Sequence, residues 1–199
     1  MKILLIGATG TIGSAVYKEM AKRHVVVTAG RTSADVQVDL TVTGSIVAMF
    51  EQVGRVDAVI STPGAVYFGA LSELTPEKNE LSIQSKLKGQ INLVLLGLPY
   101  VTDKGSFTLT TGILMDDPVL GGASAAMASG GVKAFVQAAA IEMPRGTRIN
   151  NVSPTVLEES LEKYESSFPG FLPVPSDRVA QAYRKSVEGA QTGKTYTVY

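Results

Sequence analysis

The sequence predicts an α/β protein in which helices cover both faces of a doubly wound parallel sheet, a three-layer α/β/α arrangement. Two observations predict it. Short runs rich in β-branched residues alternate with amphipathic segments along the chain, and these runs lack the polar alternation of a strand with one wet face. With 199 residues, 45% of them hydrophobic, the chain is expected to form one domain over residues 1–199.

The amino-terminal unit contains the most informative motif. A predicted strand, Lys2–Ile6, runs into the glycine-rich turn Gly7–Gly13 and then into a predicted helix, Ser14–Met20. Glycines permit positive φ and leave room for a pyrophosphate against the backbone, while the helix start offers free N–H groups to phosphate. This order predicts a dinucleotide site in a Rossmann-type sheet. The residues expected to contact the cofactor here are Gly7, Thr9, Gly10, Thr11, Ile12 and Gly13.

The next elements continue the pattern with one departure from it. Val25–Gly30 and Val36–Leu40 are predicted strands, and the chain between them is too short for a crossover helix, so we expect a loop there. An amphipathic helix over Ser45–Val53 and a buried strand over Val56–Ser61 follow.

The second half of the chain repeats the alternation of helix and strand. Thr75 followed by Pro76 has the chemistry of a helix start, because threonine caps and proline suits the first helical position. The remaining predicted elements are helices at 86–98 and 125–140 and strands at 105–112, 148–153 and 195–198.

Composition excludes several classes of function. Eighteen basic and eighteen acidic residues give a net charge of +0, which argues against nucleic acid or an anionic membrane as partner. The absence of cysteine excludes disulfides and fits a cytoplasmic location. No stretch approaches the roughly 20 apolar residues of a membrane span. The single histidine, His24, has no acidic neighbours in sequence, so no metal site is predicted.

Several landmarks in order give the chain a resemblance to the short-chain dehydrogenase/reductase family, from Met1 to the last strand. Gly7, Gly10 and Gly13 match the family's glycine turn in its GxxGxxG form. The resemblance implies three further groups of residues that contact the cofactor. These are Asp39 and Leu40 at the adenine; Ser61, Thr62, Pro63 and Gly64 in place of the usual Asn-Asn-Ala-Gly; and Pro154, Thr155 and Val156 at the nicotinamide carboxamide.

Arg31, at the end of the second predicted strand, indicates which cofactor is bound. An acid there would bind the ribose 2′-hydroxyl and repel a 2′-phosphate, whereas an arginine pairs with that phosphate. Thr32 and Ser33 offer hydroxyl donors to the same group. The sequence therefore favours NADP(H) over NAD(H), with a solvated surface charge as the alternative interpretation of Arg31.

The family's catalytic pair is missing. Members usually carry a Tyr-x-x-x-Lys motif on the helix after the fifth strand, where the lysine lowers the tyrosine pKa, and a serine on that strand orients the substrate oxygen. In this chain Ala126 and Gly130 stand at the tyrosine and lysine positions. Of the usual set only a hydroxyl survives, at Thr111 or at its neighbour Thr110.

Three residues are candidates for a substitute proton donor. Lys86 comes three residues before Gly89, where the family usually has an asparagine near the site. Tyr67 lies in the loop after the fourth strand, and Lys133 shares the helix face of Ala126 and Gly130. The ordinary alternative is that Lys86 and Lys133 are solvated surface charges and that Tyr67 is a packed aromatic residue.

Two functions are compatible with the sequence. One is an NADP(H)-dependent oxidoreductase that transfers hydride to or from a small carbonyl or alcohol substrate, using a non-standard proton donor. The other is a non-catalytic NADP(H)-binding protein that senses the cofactor or regulates a partner. The resemblance also implies a substrate lid over Thr155–Pro175 and a homodimer or homotetramer formed through the alanine-rich helix and the preceding one.

Overall fold

A computed structural model describes residues 1–62 and 64–199, apart from the side chain of Lys163. It contains a seven-stranded sheet in the order β3-β2-β1-β4-β5-β6-β7, and every pairing is parallel. The predicted doubly wound fold is thereby confirmed. The strands are β1 Lys2–Ile6, β2 Val25–Gly30, β3 Val36–Gln37, β4 Val56–Ser61, β5 Val101–Thr110, β6 Arg148–Pro154 and β7 Thr195–Val198.

Helices lie on both faces of the sheet. Those of the described chain are α1 Thr11–Ala21, α2 Thr43–Val53, α3 Pro76–Ser82, α4 Gly89–Gly97, α5 Ala123–Ala139, α6 Leu161–Tyr164 and α7 Ser176–Glu188. Helices α1 and α7 pack together on one face, and α2, α4 and α5 contribute to the core of the other. None of the described helices is long and apolar enough to cross a membrane.

Strand β1 shows why the sheet is buried on both faces. Successive side chains of a strand point to opposite faces. Ile3 and Leu5 accordingly join the core under α1 and α7, whereas Leu4 and Ile6 join the core under α2 and α4. All four are at most 1% exposed, so the strand needs apolar residues at these four consecutive positions.

Two strands differ from the sequence prediction. β3 has only two residues, because β2 ends at Gly30 and leaves the chain after Val38 without a neighbour to pair with. β5 begins at Val101, four residues before its predicted start. Residues 102–104 of this strand are polar and half-buried or exposed, so a search for apolar runs misses its start. The pairing with β4 also shifts register between Val56 and Ala58.

Two helical regions also differ. The predicted helix over Lys86–Leu98 is the end of a longer helical stretch, in which a π-helical segment, Ile83–Lys88, joins α3 to α4. Helix α7 was not predicted at all. Its apolar stripe of Val179, Tyr183 and Val187 has the i, i+4, i+8 spacing of a helix, but charged residues surround it and lower the local hydropathy.

Candidate active site

Two cavities lie at the carboxyl ends of the strands, where this class of sheet binds its ligands. The first, of about 490 Å³, runs past the end of β1 from Arg31 and Asp39 to Gly64 and Ser85. The second, of about 280 Å³, lies beyond the ends of β5 and β6 and is lined mainly by apolar residues. The sheet therefore presents adjoining sites at one edge, and most predicted site residues border one of them.

The glycine turn forms the floor of the first cavity. Gly7 has φ of +87°, in the left-handed region that favours glycine. A Cβ on Gly13 would lie 2.0 Å from the Gly7 carbonyl oxygen, so only glycine lets α1 approach the turn this closely. At Gly10, the N-cap of α1, a Cβ would make only an ordinary contact of 3.5 Å with that oxygen. The protein's own packing thus explains two of the three glycines and leaves Gly10 unexplained.

The other predicted residues of the turn occupy different positions. Thr9 lines the first cavity, and Thr11 begins α1 three residues before the predicted start. Ile12 packs against the core under α1 and α7, so its side chain faces the core. Gly7, Thr9 and Gly10 are the members of the turn that border the cavity.

Arg31 and Thr32 line the end of the first cavity next to β2. Arg31 is exposed, and none of the ion pairs among the described residues includes it. Ser33 has φ of +49° and does not border the cavity. The structure thus brings to this end a guanidinium that forms no ion pair with any described residue, and one of the two predicted hydroxyl residues.

Asp39 and Leu40 line the same cavity beside Arg31. The Asp39 carboxylate accepts hydrogen bonds of 2.9 Å from the Thr41 backbone N–H and 2.8 Å from the Thr41 hydroxyl. These bonds, with a smaller contribution from the Arg31 charge, lower the pKa of Asp39. The carboxylate is fixed as an anion in the wall of the cavity.

The end of β4 is tied to the glycine turn. The Thr62 hydroxyl donates to the carbonyl oxygens of Ile6, at 2.8 Å, and Gly7, at 3.2 Å. Ser61 is fully buried and its hydroxyl has no hydrogen-bond partner within the described protein. Pro63, also expected at the cofactor, lies outside the described residues.

Lys86 lies between the two cavities. Its aliphatic chain packs on Gly64, where a Cβ would lie 3.2 Å from Lys86 Cγ, and Gly64 borders the first cavity. Its Nζ donates a 3.2 Å hydrogen bond to the carbonyl of Thr111, which borders the second. Burial lowers the pKa of Lys86 to about 8, and no ion pair of the described chain includes this amine.

Gln90, which the sequence analysis did not identify, holds Lys86 in position. Its side-chain amide donates to the carbonyls of Lys86, at 2.9 Å, and Thr110, at 2.8 Å, and its oxygen accepts from the Thr110 N–H at 2.8 Å. Gln90 thereby binds the π-helical segment to the end of β5. The sequence signal is a glutamine within a mainly apolar predicted helix; its burial and its partners are known only from the structure.

Thr111 borders the second cavity with a hydroxyl that is already engaged. It donates to the Val152 carbonyl at 3.2 Å and accepts from the Asn151 side-chain amide at 2.7 Å. A hydroxyl has one hydrogen and two lone pairs, so one acceptor position remains. Thr110, the alternative, hydrogen-bonds to the Ser61 carbonyl and the Tyr183 hydroxyl in the interior.

The side chains of Tyr67 and Lys133 contact residues other than Lys86. Val66 and Phe68 line the second cavity, while the Tyr67 ring turns to Lys78, whose Nζ lies 3.4 Å from the phenol oxygen and 5.3 Å from the ring centre. Lys133 forms a 2.6 Å ion pair with Asp116. Of the three candidate proton donors, Lys86 alone touches residues that border both cavities.

The positions of the missing pair lie on α5, next to the π-helical segment. Leu87 packs against this helix, since a Cβ on Gly131 would lie 2.7 Å from Leu87 Cδ1. At Gly130 a Cβ would meet no heavy atom within 4 Å. A side chain at position 130 would therefore begin in open space, without a clash at its Cβ.

Pro154, Thr155 and Val156 form the wall of the second cavity at the end of β6. The Thr155 N–H is bound to the Val198 carbonyl at 3.0 Å, and the Val156 carbonyl accepts from Val174 at 3.1 Å. The Thr155 hydroxyl is buried without a partner in the described protein.

Removing the Thr155 hydroxyl and removing the Thr111 hydroxyl should have opposite effects on stability. Thr155→Val removes an unpaired buried hydroxyl and should raise the free energy of unfolding by about 1 kcal/mol. The matched change Thr111→Val leaves the Asn151 amide without its acceptor and should lower it by about 1 to 3 kcal/mol. Urea denaturation of both variants checks the pair, and equal effects of one sign would contradict this difference in hydrogen bonding.

Strand order, glycine turn and the cavity at the carboxyl edge together define a Rossmann-type nucleotide-binding class. A family model described as enoyl-(acyl carrier protein) reductase matches residues 6–189. The chain therefore belongs to this family, within the short-chain dehydrogenases/reductases, whose members are generally oxidoreductases.

Solved structures share this fold. The crystal structure of the protein lin1944 from Listeria innocua is 64% identical over 100% of both chains, with a TM-score of 0.99. A small-chain dehydrogenase in complex with NADPH is 22% identical over 100% of this chain and 96% of its own, with a TM-score of 0.88. Aldohexose dehydrogenase from Thermoplasma acidophilum is 15% identical over 99% and 91%, with a TM-score of 0.87. No curated protein matches the sequence significantly.

Proposed function

We propose that the protein is an NADP(H)-dependent oxidoreductase that transfers hydride between the nicotinamide and a small carbonyl or alcohol substrate. One observation carries the proposal. The first cavity is lined by Arg31, which has no ion-pair partner among the described residues, and runs past Gly10 at the N-cap of α1 to Gly64, on which Lys86 packs. This order of an arginine and a glycine N-cap suits the 2′-phosphate and the diphosphate of NADPH.

The cofactor fits residues whose identity the fold alone does not require. Gly10 has room for a Cβ within the protein, so a diphosphate at the start of α1 explains its lack of a side chain. The 2′-phosphate would pair with Arg31, and the adenine would lie against Asp39 and Leu40. The nicotinamide end would extend past Ser61–Gly64 to Pro154–Val156.

Lys86 is the proton donor in this proposal. When bound, the cofactor supplies or accepts the hydride. In the reducing direction the Lys86 ammonium gives its proton to the substrate oxygen and regains one from water. Because burial brings its pKa to about 8, both protonation states are accessible near neutral pH. Thr111 and Gln90 position the amine through their bonds to Lys86.

Turnover with a panel of aldehydes, ketones, quinones and imines tests the proposal. Steady oxidation of NADPH that Lys86→Met abolishes would support it. Saturable quenching of NADPH fluorescence without turnover across the panel would favour the second candidate, a non-catalytic NADP(H)-binding protein. The alanine and glycine at positions 126 and 130 are the observation that keeps this alternative open.

Arg31→Asp is predicted to reverse cofactor preference. Losing a charge-assisted contact and adding a negative charge should weaken NADPH binding about 10- to 100-fold while NADH binding is retained. Arg55→Asp makes the same charge change at an exposed residue just before β4. This residue lies at the amino-terminal end of its strand, away from the cavities, so the change should alter neither affinity. Fluorescence titration with both cofactors measures the effect. Equal loss of NADPH and NADH binding would contradict the role of Arg31 in choosing between them.

We also propose a homo-oligomer formed through α4 and α5. Leu95 on α4 is 55% exposed and Met127 on α5 is 40% exposed. Small exposed residues such as Ala134 and Ala138 would let a second helix approach α5 closely. Light scattering of the purified protein should give a dimer or tetramer, and Leu95→Lys should shift it toward the monomer.

A further inference from the structure

The second cavity, which we call the inner cavity, has a chemistry that restricts its ligand. Its lining includes Val66, Phe68, Leu114, Leu157 and Phe168. No lysine, arginine, histidine, aspartate or glutamate lines it among the described residues. A charged or polyhydroxylated ligand would leave most of its polar groups unpaired there, at a cost in binding free energy.

An outer cavity of about 540 Å³ continues from the inner one. The two share Ile113 and Thr155 as lining residues. The outer cavity is bordered by Phe171, Leu172 and Tyr199, and Asp117 is its one charged lining residue in the described chain. A ligand longer than the inner cavity can therefore extend past Thr155 along a surface that includes Phe171 and Leu172.

Aromatic side chains of the segment after β6 border both cavities. The rings of Tyr164 and Phe168 meet edge to face with centroids 6.4 Å apart, and those of Phe168 and Phe171 do so at 5.3 Å. Phe168 lines the inner cavity and Phe171 the outer one. One aromatic cluster thus lines part of both cavities.

We propose that the substrate is an uncharged carbonyl compound with an elongated apolar body, which extends from the inner cavity, beside the nicotinamide at Pro154–Val156, into the outer cavity and lies against this aromatic cluster. The inference rests on the proposed function. The reduction would add one hydride from the reduced nicotinamide to the carbonyl carbon and one proton, from Lys86, to the oxygen, giving the alcohol and the oxidised nicotinamide. Sugars, phosphorylated compounds and carboxylates are disfavoured.

A chain-length series of 2-ketones, assayed with NADPH, tests the inference. KM should fall about threefold for each methylene that enters the cavities, until they are filled. Glucose, and oxo-carboxylates matched in length to the ketones, should give much lower kcat/KM. Equal or better turnover of these polar compounds would overturn the inference and leave the proposed function standing.

Phe168 offers a matched pair of variants. Phe168→Asp puts a charge into the inner cavity and should raise KM for the longest ketone at least about tenfold. Phe168→Leu keeps the wall apolar and should change KM about threefold or less. Neither should alter NADPH affinity, which also reports that each variant is folded. Equal KM values for the two variants would overturn the inference.

Ligand-observed NMR separates failure of this inference from failure of the proposed function. It detects a long 2-ketone binding to the protein without any turnover. Binding that Phe168→Asp weakens supports the inference even if NADPH is never oxidised, whereas no binding at millimolar ketone, with or without NADPH, overturns it. Failure to bind NADPH in the fluorescence titration is the separate result that overturns the proposed function.

Discussion

Lys86→Met should lower turnover of a carbonyl substrate by about 100- to 10,000-fold, the usual contribution of a positioned proton donor. Methionine has a similar length but carries no proton. The amine it replaces lies 3.2 Å from the Thr111 carbonyl and packs on Gly64, between the two cavities. NADPH affinity should change little, because Arg31 and the glycine turn remain.

The same change should make the protein more stable at neutral pH. The pKa of Lys86 is lowered to about 8 in the folded state, so below that pH the fold carries a buried charge that the unfolded chain solvates. Between pH 8 and the ordinary lysine pKa the unfolded chain binds more protons, and stability therefore rises with pH. Because the side chain is only half-buried, we expect a gain of roughly 1 to 2 kcal/mol at neutral pH.

Urea denaturation and initial rates across the pH range check both effects. The stability gain of Lys86→Met should shrink as the pH rises above about 8, where Lys86 of the wild type loses its proton. The rate at which the wild type reduces its carbonyl substrate should also fall above about pH 8. Lys88→Met is the control, since that side chain is 53% exposed and pairs with Glu80. A stable, fully active Lys86→Met protein would remove Lys86 from the chemistry.

Gly13→Ala and Gly10→Ala should separate folding from cofactor binding. The Gly13 Cβ would lie 2.0 Å from the Gly7 oxygen and 2.9 Å from Ala8 Cα, both backbone atoms, so α1 must move. We expect a loss of about 3 kcal/mol or more of stability. The Gly10 Cβ meets only an ordinary contact of 3.5 Å, so the fold should survive. It would point into the space that the diphosphate is proposed to occupy and should weaken NADPH binding at least about tenfold.

Thermal unfolding followed by fluorescence titration measures the pair. The melting temperature of Gly10→Ala should lie within a few degrees of the wild-type value, a loss of stability of about 1 kcal/mol at most. The variant should nevertheless bind NADPH poorly. If it bound NADPH as the wild type does, the diphosphate would have to lie elsewhere. A Gly13→Ala protein as stable as the wild type would contradict the packing of α1 on the turn.

Local chemistry allowed the sequence to predict much of this structure. The glycine turn, the Thr75 cap, whose hydroxyl accepts from the Lys78 N–H, and the strand positions depend on short-range rules. The placement of Arg31 beside the cavity followed from its position at the end of β2. These features need no knowledge of distant contacts.

Other features depend on tertiary contacts that a sequence does not reveal. β3 is short because β2 ends, and Tyr67 turns away because Ser82 binds its backbone N–H at 2.9 Å while Val66 and Phe68 face the inner cavity. The role of Gln90 required knowing that α4 runs beside the end of β5. The sequence left three candidate proton donors open. In the structure, Lys86 is the one of the three that contacts residues bordering both cavities.

Calorimetric titration of NADPH into the folded wild-type protein tests the central claim most directly. We predict saturable one-site binding, weaker for NADH, and strongly reduced for both cofactors in Gly10→Ala. No detectable binding of either cofactor at millimolar concentration, by heat or by fluorescence, would contradict the proposed dinucleotide site.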